Sequence, residues 1–150
     1  CGSSNSILIG HSMGAATVML EAGARNNVGA SGANSFNAYV ALSPQGSGLI
    51  FPENAWAQIK APVLMLTGTR DTELGGASWE TRIEPFKSMA TGCKWLGVID
   101  GATHMNLAGI GRSQRVEVLT TQTITAFIDG VQRGDCRLEK PIEGIEIQTK

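Results

Sequence analysis

Ser6-Ile7-Leu8-Ile9-Gly10-His11-Ser12-Met13-Gly14 is the stretch on which the fold turns. Ser6 to Ile9 is a short apolar, β-branched run closed by Gly10, the pattern of a buried strand. From Ser12 to about Ala24, the residues Met13, Ala16, Thr17, Leu20 and Ala24 recur at helical spacing. A G-x-S-x-G pentad thus falls between a predicted strand and a predicted helix. A serine forced into such a turn has a strained backbone and projects its hydroxyl above the sheet edge. Gly10 and Gly14 are expected because a Cβ at either would collide with the neighbouring strand or helix. The helix aims its first amides at the same spot, so the Met13 N–H is placed to stabilise an oxyanion. A structural serine in a glycine turn, the plainer reading, does not call for both flanking elements.

Further along, Tyr39 to Leu42 reads as a second strand stopped at Ser43-Pro44, after a Gly/Asn/Ser loop over 29–37. A short helical piece is predicted near Trp56 to Ile59. Pro62 to Leu66 is a third strand, followed by a turn-rich stretch from Gly68 to Gly76. A helix is expected from near Ser78, disturbed at Pro85. Leu96 to Ile99 is a fourth strand closed by Asp100-Gly101, with a loop from Ala102 to Gly111. Val116, Leu119, Ile124, Phe127, Ile128 and Val131 then mark a long amphipathic helix. The charged tail holds a weak strand, Ile142 to Ile147. Continuous apolar strands alternating with helices predict an α/β fold, a mostly parallel sheet covered on both faces. With no linker or repeat, residues 1–150 read as one structural unit.

Composition narrows the function classes. Of 150 residues, 42% are apolar and 17% charged, and 12 basic side chains face 13 acidic ones for a net charge of −1. That balance gives no electrostatic reason to expect nucleic acid or an anionic membrane as partner. No apolar run approaches the roughly 18 residues of a membrane span. The three cysteines, Cys1, Cys93 and Cys136, show no CxxC or Cys/His metal spacing, so neither a metal nor another cofactor is expected. Cys93 precedes a predicted strand and Cys136 follows a predicted helix; pairing between them is open, since sequence does not fix connectivity. Trp56, Trp79 and Trp95 read as core or cover. The compartment is not legible.

A serine hydroxyl is a poor nucleophile until a base takes its proton. Of the two histidines, His11 lies inside the elbow with its side chain expected to point away from the hydroxyl, where it either packs or supports a site residue, which leaves His104 as the base. A carboxylate must then orient the imidazole. Asp71 follows the third strand, and functional residues gather at strand carboxyl ends in open α/β sheets. Asp100 and Glu73 are its rivals. The order Ser12, Asp71, His104 favours Asp71, because it matches that of the α/β-hydrolase fold among serine-triad folds.

Three blocks, Gly10 to Gly14, Ala61 to Asp71 and Ile99 to His104, resemble the C-terminal half of an α/β-hydrolase. The nearest groups are the dienelactone-hydrolase-like proteins and the cutinase-type polyester hydrolases. The resemblance implies Ser12 as nucleophile, His104 as base, Asp71 as acid and Met13 as one oxyanion-hole amide. Dienelactone hydrolases proper carry cysteine as nucleophile, so Ser12 points to esterase chemistry. Ser43-Pro44-Gln45-Gly46 stands where polyester hydrolases commonly place an aromatic. The short segment from Ser43 to Ala61 leaves no room for a large lid, so an open cleft is expected. Gln45 and Met105 either line that cleft or pack within their loops. The resemblance further implies that residues 1–150 are the C-terminal portion of a hydrolase domain. Its earlier strands, and the second oxyanion amide, would then belong to a preceding segment of the same protein. The expected function is hydrolysis of a small-molecule carboxylic ester through an acyl-enzyme. The alternatives are a thioesterase, lactonase, acyltransferase or peptidase using the same triad, or a catalytically silent binding module.

Overall fold

Residues 5–72 and 76–150 are described by the structure, a computed structural model. Four strands, β1 (Ile7–His11), β2 (Ala38–Leu42), β3 (Val63–Arg70) and β4 (Lys94–Thr103), lie side by side in chain order and run parallel. A fifth, β5 (Ile145–Thr149), joins β4 antiparallel. The helices are α1 (Met13–Glu21), α2 (Glu84–Ser88), α3 (His104–Leu107) and α4 (Gln114–Arg133). This is an α/β fold, with the mostly parallel sheet expected from the apolar strands.

Both faces of the sheet are buried, and strand alternation divides the core in two. Tyr39, Ala41, Val63, Met65 and Leu96 meet α1 on one face, with Phe51, Trp56 and Ile59 of the β2–β3 connection beside it. Val40, Leu42, Leu64, Leu66, Trp95 and Ile99 meet Val116, Leu119 and Phe127 of α4 on the other. Phe127 stands edge-on to Trp95, with ring centroids 5.5 Å apart. Trp56 and Trp95 are buried and Trp79 is half-buried. Cys93 and Cys136 are joined by a disulfide, with Cα atoms 5.5 Å apart, which ties the start of β4 to the chain just beyond α4. Trp95 Nε1–H donates to the Cys136 carbonyl at 2.8 Å and packs this junction.

Several local expectations are corrected. Helix α1 buries Ala15, Ala16, Val18 and Met19, while Met13 and Thr17 face outward. Ala16, Leu20 and Ala24 of the expected helical face do pack into the core, Ala24 from beyond the helix, which ends at Glu21. Trp56 to Ile59 is not helical but part of a run of turns; Asn54, with φ at 56°, breaks any helix there. Pro85 does not disturb a helix. A 3-10 turn over Trp79–Ile83 precedes α2, and Pro85 lies in the first turn of α2, where its missing N–H costs nothing. Strand β3 continues beyond Leu66 to Arg70, and β4 continues through Asp100-Gly101 to Thr103. Their register shifts: Gly68 faces Ile99, but Arg70 faces Thr103. The extra β4 residues bulge, with Gly101 at φ 74°. His104 therefore opens a helical turn, α3, within the stretch expected to be loop.

Candidate active site

Three strand ends build the site. At the end of β1, Ser12 adopts φ 57° and ψ −116°, a conformation L-residues avoid, at a cost of about 1–3 kcal/mol. Its N–H is held by the Leu42 carbonyl of β2 at 3.0 Å. The hydroxyl stands at the N-cap position of α1 without capping it. Gly10 is required because a Cβ there would run into the Gly14 carbonyl. Gly14 is not: a Cβ on it would meet nothing within 4 Å, contrary to the expectation that both glycines are sterically needed. Met13 is the first residue of α1, so its N–H is one of the helix-start donors without an intrahelical acceptor.

Asp71 directly follows β3 and is fully buried. Thr67 Oγ1–H donates to its Oδ2 at 2.9 Å. His104 Nδ1 lies 2.9 Å from its Oδ1. His104 is fixed by a capping box at the start of α3: the Thr103 side chain accepts from the Asn106 N–H while the Asn106 side chain accepts from the Thr103 N–H. Its Nε2 lies 2.9 Å from Ser12 Oγ. Because the carboxylate can only accept, Nδ1 carries the proton and Nε2 is left to accept from the serine hydroxyl. Ser12, Asp71 and His104 are thus brought into one hydrogen-bonded chain.

Of the rival acids, Asp100 is engaged elsewhere. Thr69 Oγ1–H donates to its Oδ1 at 2.8 Å while the same hydroxyl accepts from the Gly101 N–H, so Asp100 braces the β4 bulge. Glu73 lies outside the described residues. Gln45 reaches the elbow: its Nε2 is 3.7 Å from Met13 Sδ. Met105 follows His104 on α3 and is half exposed, as is Met13.

Sequence reasoning missed two contributors. Arg82, 3% exposed, places Nε 2.9 Å from Asp71 Oδ1, and a lone arginine in a polar segment carries no signal of burial. Thr67, just past the expected end of the third strand, carried no signal either. Of the two roles open to His11, the structure shows the supporting one: its Nε2–H donates to the His104 carbonyl at 2.9 Å. Burial pushes the His11 imidazole below its ordinary value of 6.5; the charges of His104 and Arg82 act the same way, while the hydrogen bond to His104 and the charge of Asp71 oppose them.

The site lies on an open rim. A groove of about 1040 Å³ runs along α4 and residues 137–143, lined by none of the three residues. Among the described residues, no group of three or more His, Cys, Asp or Glu side chains could hold a metal ion, and no helix is long and apolar enough to cross a membrane. Neither a protein-family model nor a curated protein matches the chain.

Proposed function

We propose that this protein is a serine hydrolase of carboxylic esters, built on an α/β sheet of the α/β-hydrolase kind. The observation that carries this reading is the unbroken relay from Ser12 Oγ to His104 Nε2, and from Nδ1 to Asp71 Oδ1, with both separations 2.9 Å. Supporting it are the strained backbone at Ser12 and the burial of Asp71, neither of which a merely structural serine turn requires.

In the reaction, Ser12 Oγ attacks the ester carbonyl carbon while His104 Nε2 takes its proton. Asp71 stabilises the imidazolium and holds the ring in the reactive tautomer. The Met13 N–H receives the charge on the tetrahedral oxygen. His104 then protonates the leaving alcohol, and water, activated by the same imidazole, releases the acid and restores the hydroxyl. The half-exposed Met13 and Met105 leave the rim beside the nucleophile apolar, suited to an acyl chain.

The test is p-nitrophenyl acetate turnover by the full chain beside Ser12→Ala, together with labelling by a fluorophosphonate probe. Turnover and labelling that both vanish in the variant are expected. Equal rates in the two proteins would end the proposal, and an unlabelled chain would mark a binding module.

A further inference from the structure

We propose that Arg82 is a positioning residue of the triad, one that clamps the acid loop through its fork. This inference rests on the hydrolase reading of the site. Arg82 comes from the 3-10 turn that follows the acid loop and is 3% exposed. Its Nε donates to the Asp71 carbonyl at 2.8 Å and lies 2.9 Å from Asp71 Oδ1. Nη1 donates to the carbonyls of Ser43 at 3.0 Å and Pro44 at 3.2 Å. Nη2 donates to the Thr72 carbonyl at 3.4 Å and stands 3.3 Å from His104 Nδ1.

One planar cation therefore ties the chain after β2 to the chain after β3, beside the imidazole of His104. A lysine could supply the charge there but not the geometry, because an ammonium is a point donor and the guanidinium a rigid fork. Asp71 sits entirely out of water, where an isolated carboxylate is costly and a permanent cation offsets its charge. In the resting enzyme the neutral His104 supplies a hydrogen bond but no charge, so that compensation falls to Arg82.

Arg82 and His104 also share Asp71 Oδ1. With Nδ1 carrying the proton donated to Asp71, the guanidinium and the imidazole approach the same carboxylate oxygen side by side, so loss of the fork frees Asp71 to turn away from the ring.

The experiment compares kcat and KM for the full chain, Arg82→Lys and Arg82→Gln, with p-nitrophenyl acetate as substrate. Arg82→Lys keeps the charge and loses the fork: kcat falls roughly 10- to 100-fold while KM stays within about twofold. Arg82→Gln loses both, and its kcat falls at least as far with KM again nearly unchanged. Should the Gln variant fail to fold, Arg82→Lys decides alone, and a wild-type kcat in that variant overturns the proposal. A wild-type kcat in a folded Arg82→Gln overturns it as well.

Failure of the hydrolase reading shows separately, as Ser12→Ala turning over ester at the unaltered rate. In that event the low-field proton resonance of the His104 Nδ1–H to Asp71 hydrogen bond, recorded in the Ser12→Ala background, still reports on Arg82. It is expected to shift or broaden in Arg82→Gln, and an unchanged signal refutes the clamp.

Discussion

His11 donates its Nε2–H to the carbonyl oxygen of His104 across 2.9 Å, and the two rings lie 4.6 Å apart between centroids, tilted by 48°. The residue next to Ser12 thus holds the backbone of His104. His11→Phe keeps most of the ring volume and removes the bond. It is expected to lower kcat about 3- to 10-fold and stability by about 1 kcal/mol, read from ester turnover and urea unfolding. An unchanged kcat would show that α3 needs no such tether.

The same imidazole makes stability depend on pH. Because burial lowers its proton affinity, the unfolded chain takes up a proton near 6.5 where the folded chain does not. The His11 contribution is therefore complete above about pH 6.5 and is lost as pH falls from there towards the folded value. The urea midpoint should drop between pH 7.5 and 5.5, and drop less in His11→Phe. Parallel pH dependences in the two proteins would contradict the assignment.

Asp71→Asn tests the tautomer. An amide can offer its N–H to Nδ1, which turns the proton to Nε2 and presents a donor to the serine hydroxyl. Turnover is expected to fall on the order of 10⁴-fold in a folded protein. Thr67→Val removes a single hydrogen bond to the other carboxylate oxygen and should cost roughly 3- to 10-fold.

The two elbow glycines should part company. Gly10→Ala forces a methyl into the Gly14 carbonyl and should displace Ser12, abolishing turnover. Gly14→Ala meets open space in the first turn of α1 and, by helix propensity, should raise stability by about 0.5–1 kcal/mol. Thermal melts and ester assays on the pair decide it, and similar behaviour of the two variants would refute the packing argument.

The disulfide closes a loop with a sequence separation of 43. Its loss in the Cys93→Ser, Cys136→Ser double variant should cost about 3–4 kcal/mol. Turnover well below the melting temperature should remain, because Cys93 precedes β4 whereas the proposed triad gathers at the opposite strand ends. A matching loss of kcat in folded protein would show that the bridge reaches the site.

Much of this architecture was legible in the residues. Apolar strands separated by turn residues specify a parallel sheet, since a segment buried on both faces cannot alternate with polar side chains. Gly10, Ser12 and the helix behind them form a local device, and a local device is written in consecutive positions. His104 followed from counting, because there are two histidines in the chain and the other is built into the elbow. Where the reading went astray, chain geometry was the cause: Asn54 in a left-handed conformation, Met13 and Thr17 on the outer side of α1, and the β4 bulge that carries His104 onto a helical turn.

By itself, then, the sequence determined the α/β class, the elbow, and three side chains able to form a proton relay, because backbone preference and residue chemistry act over short stretches. Chain order favoured Asp71 as the acid, and the fold supplied the contacts that bear on that choice. It set Asp71 against His104 and turned Asp100 towards Thr69. It also drew the distant Arg82 and Thr67 onto the same buried carboxylate. Those contacts depend on register, bulge and burial, which exist once strands far apart in the chain have come together.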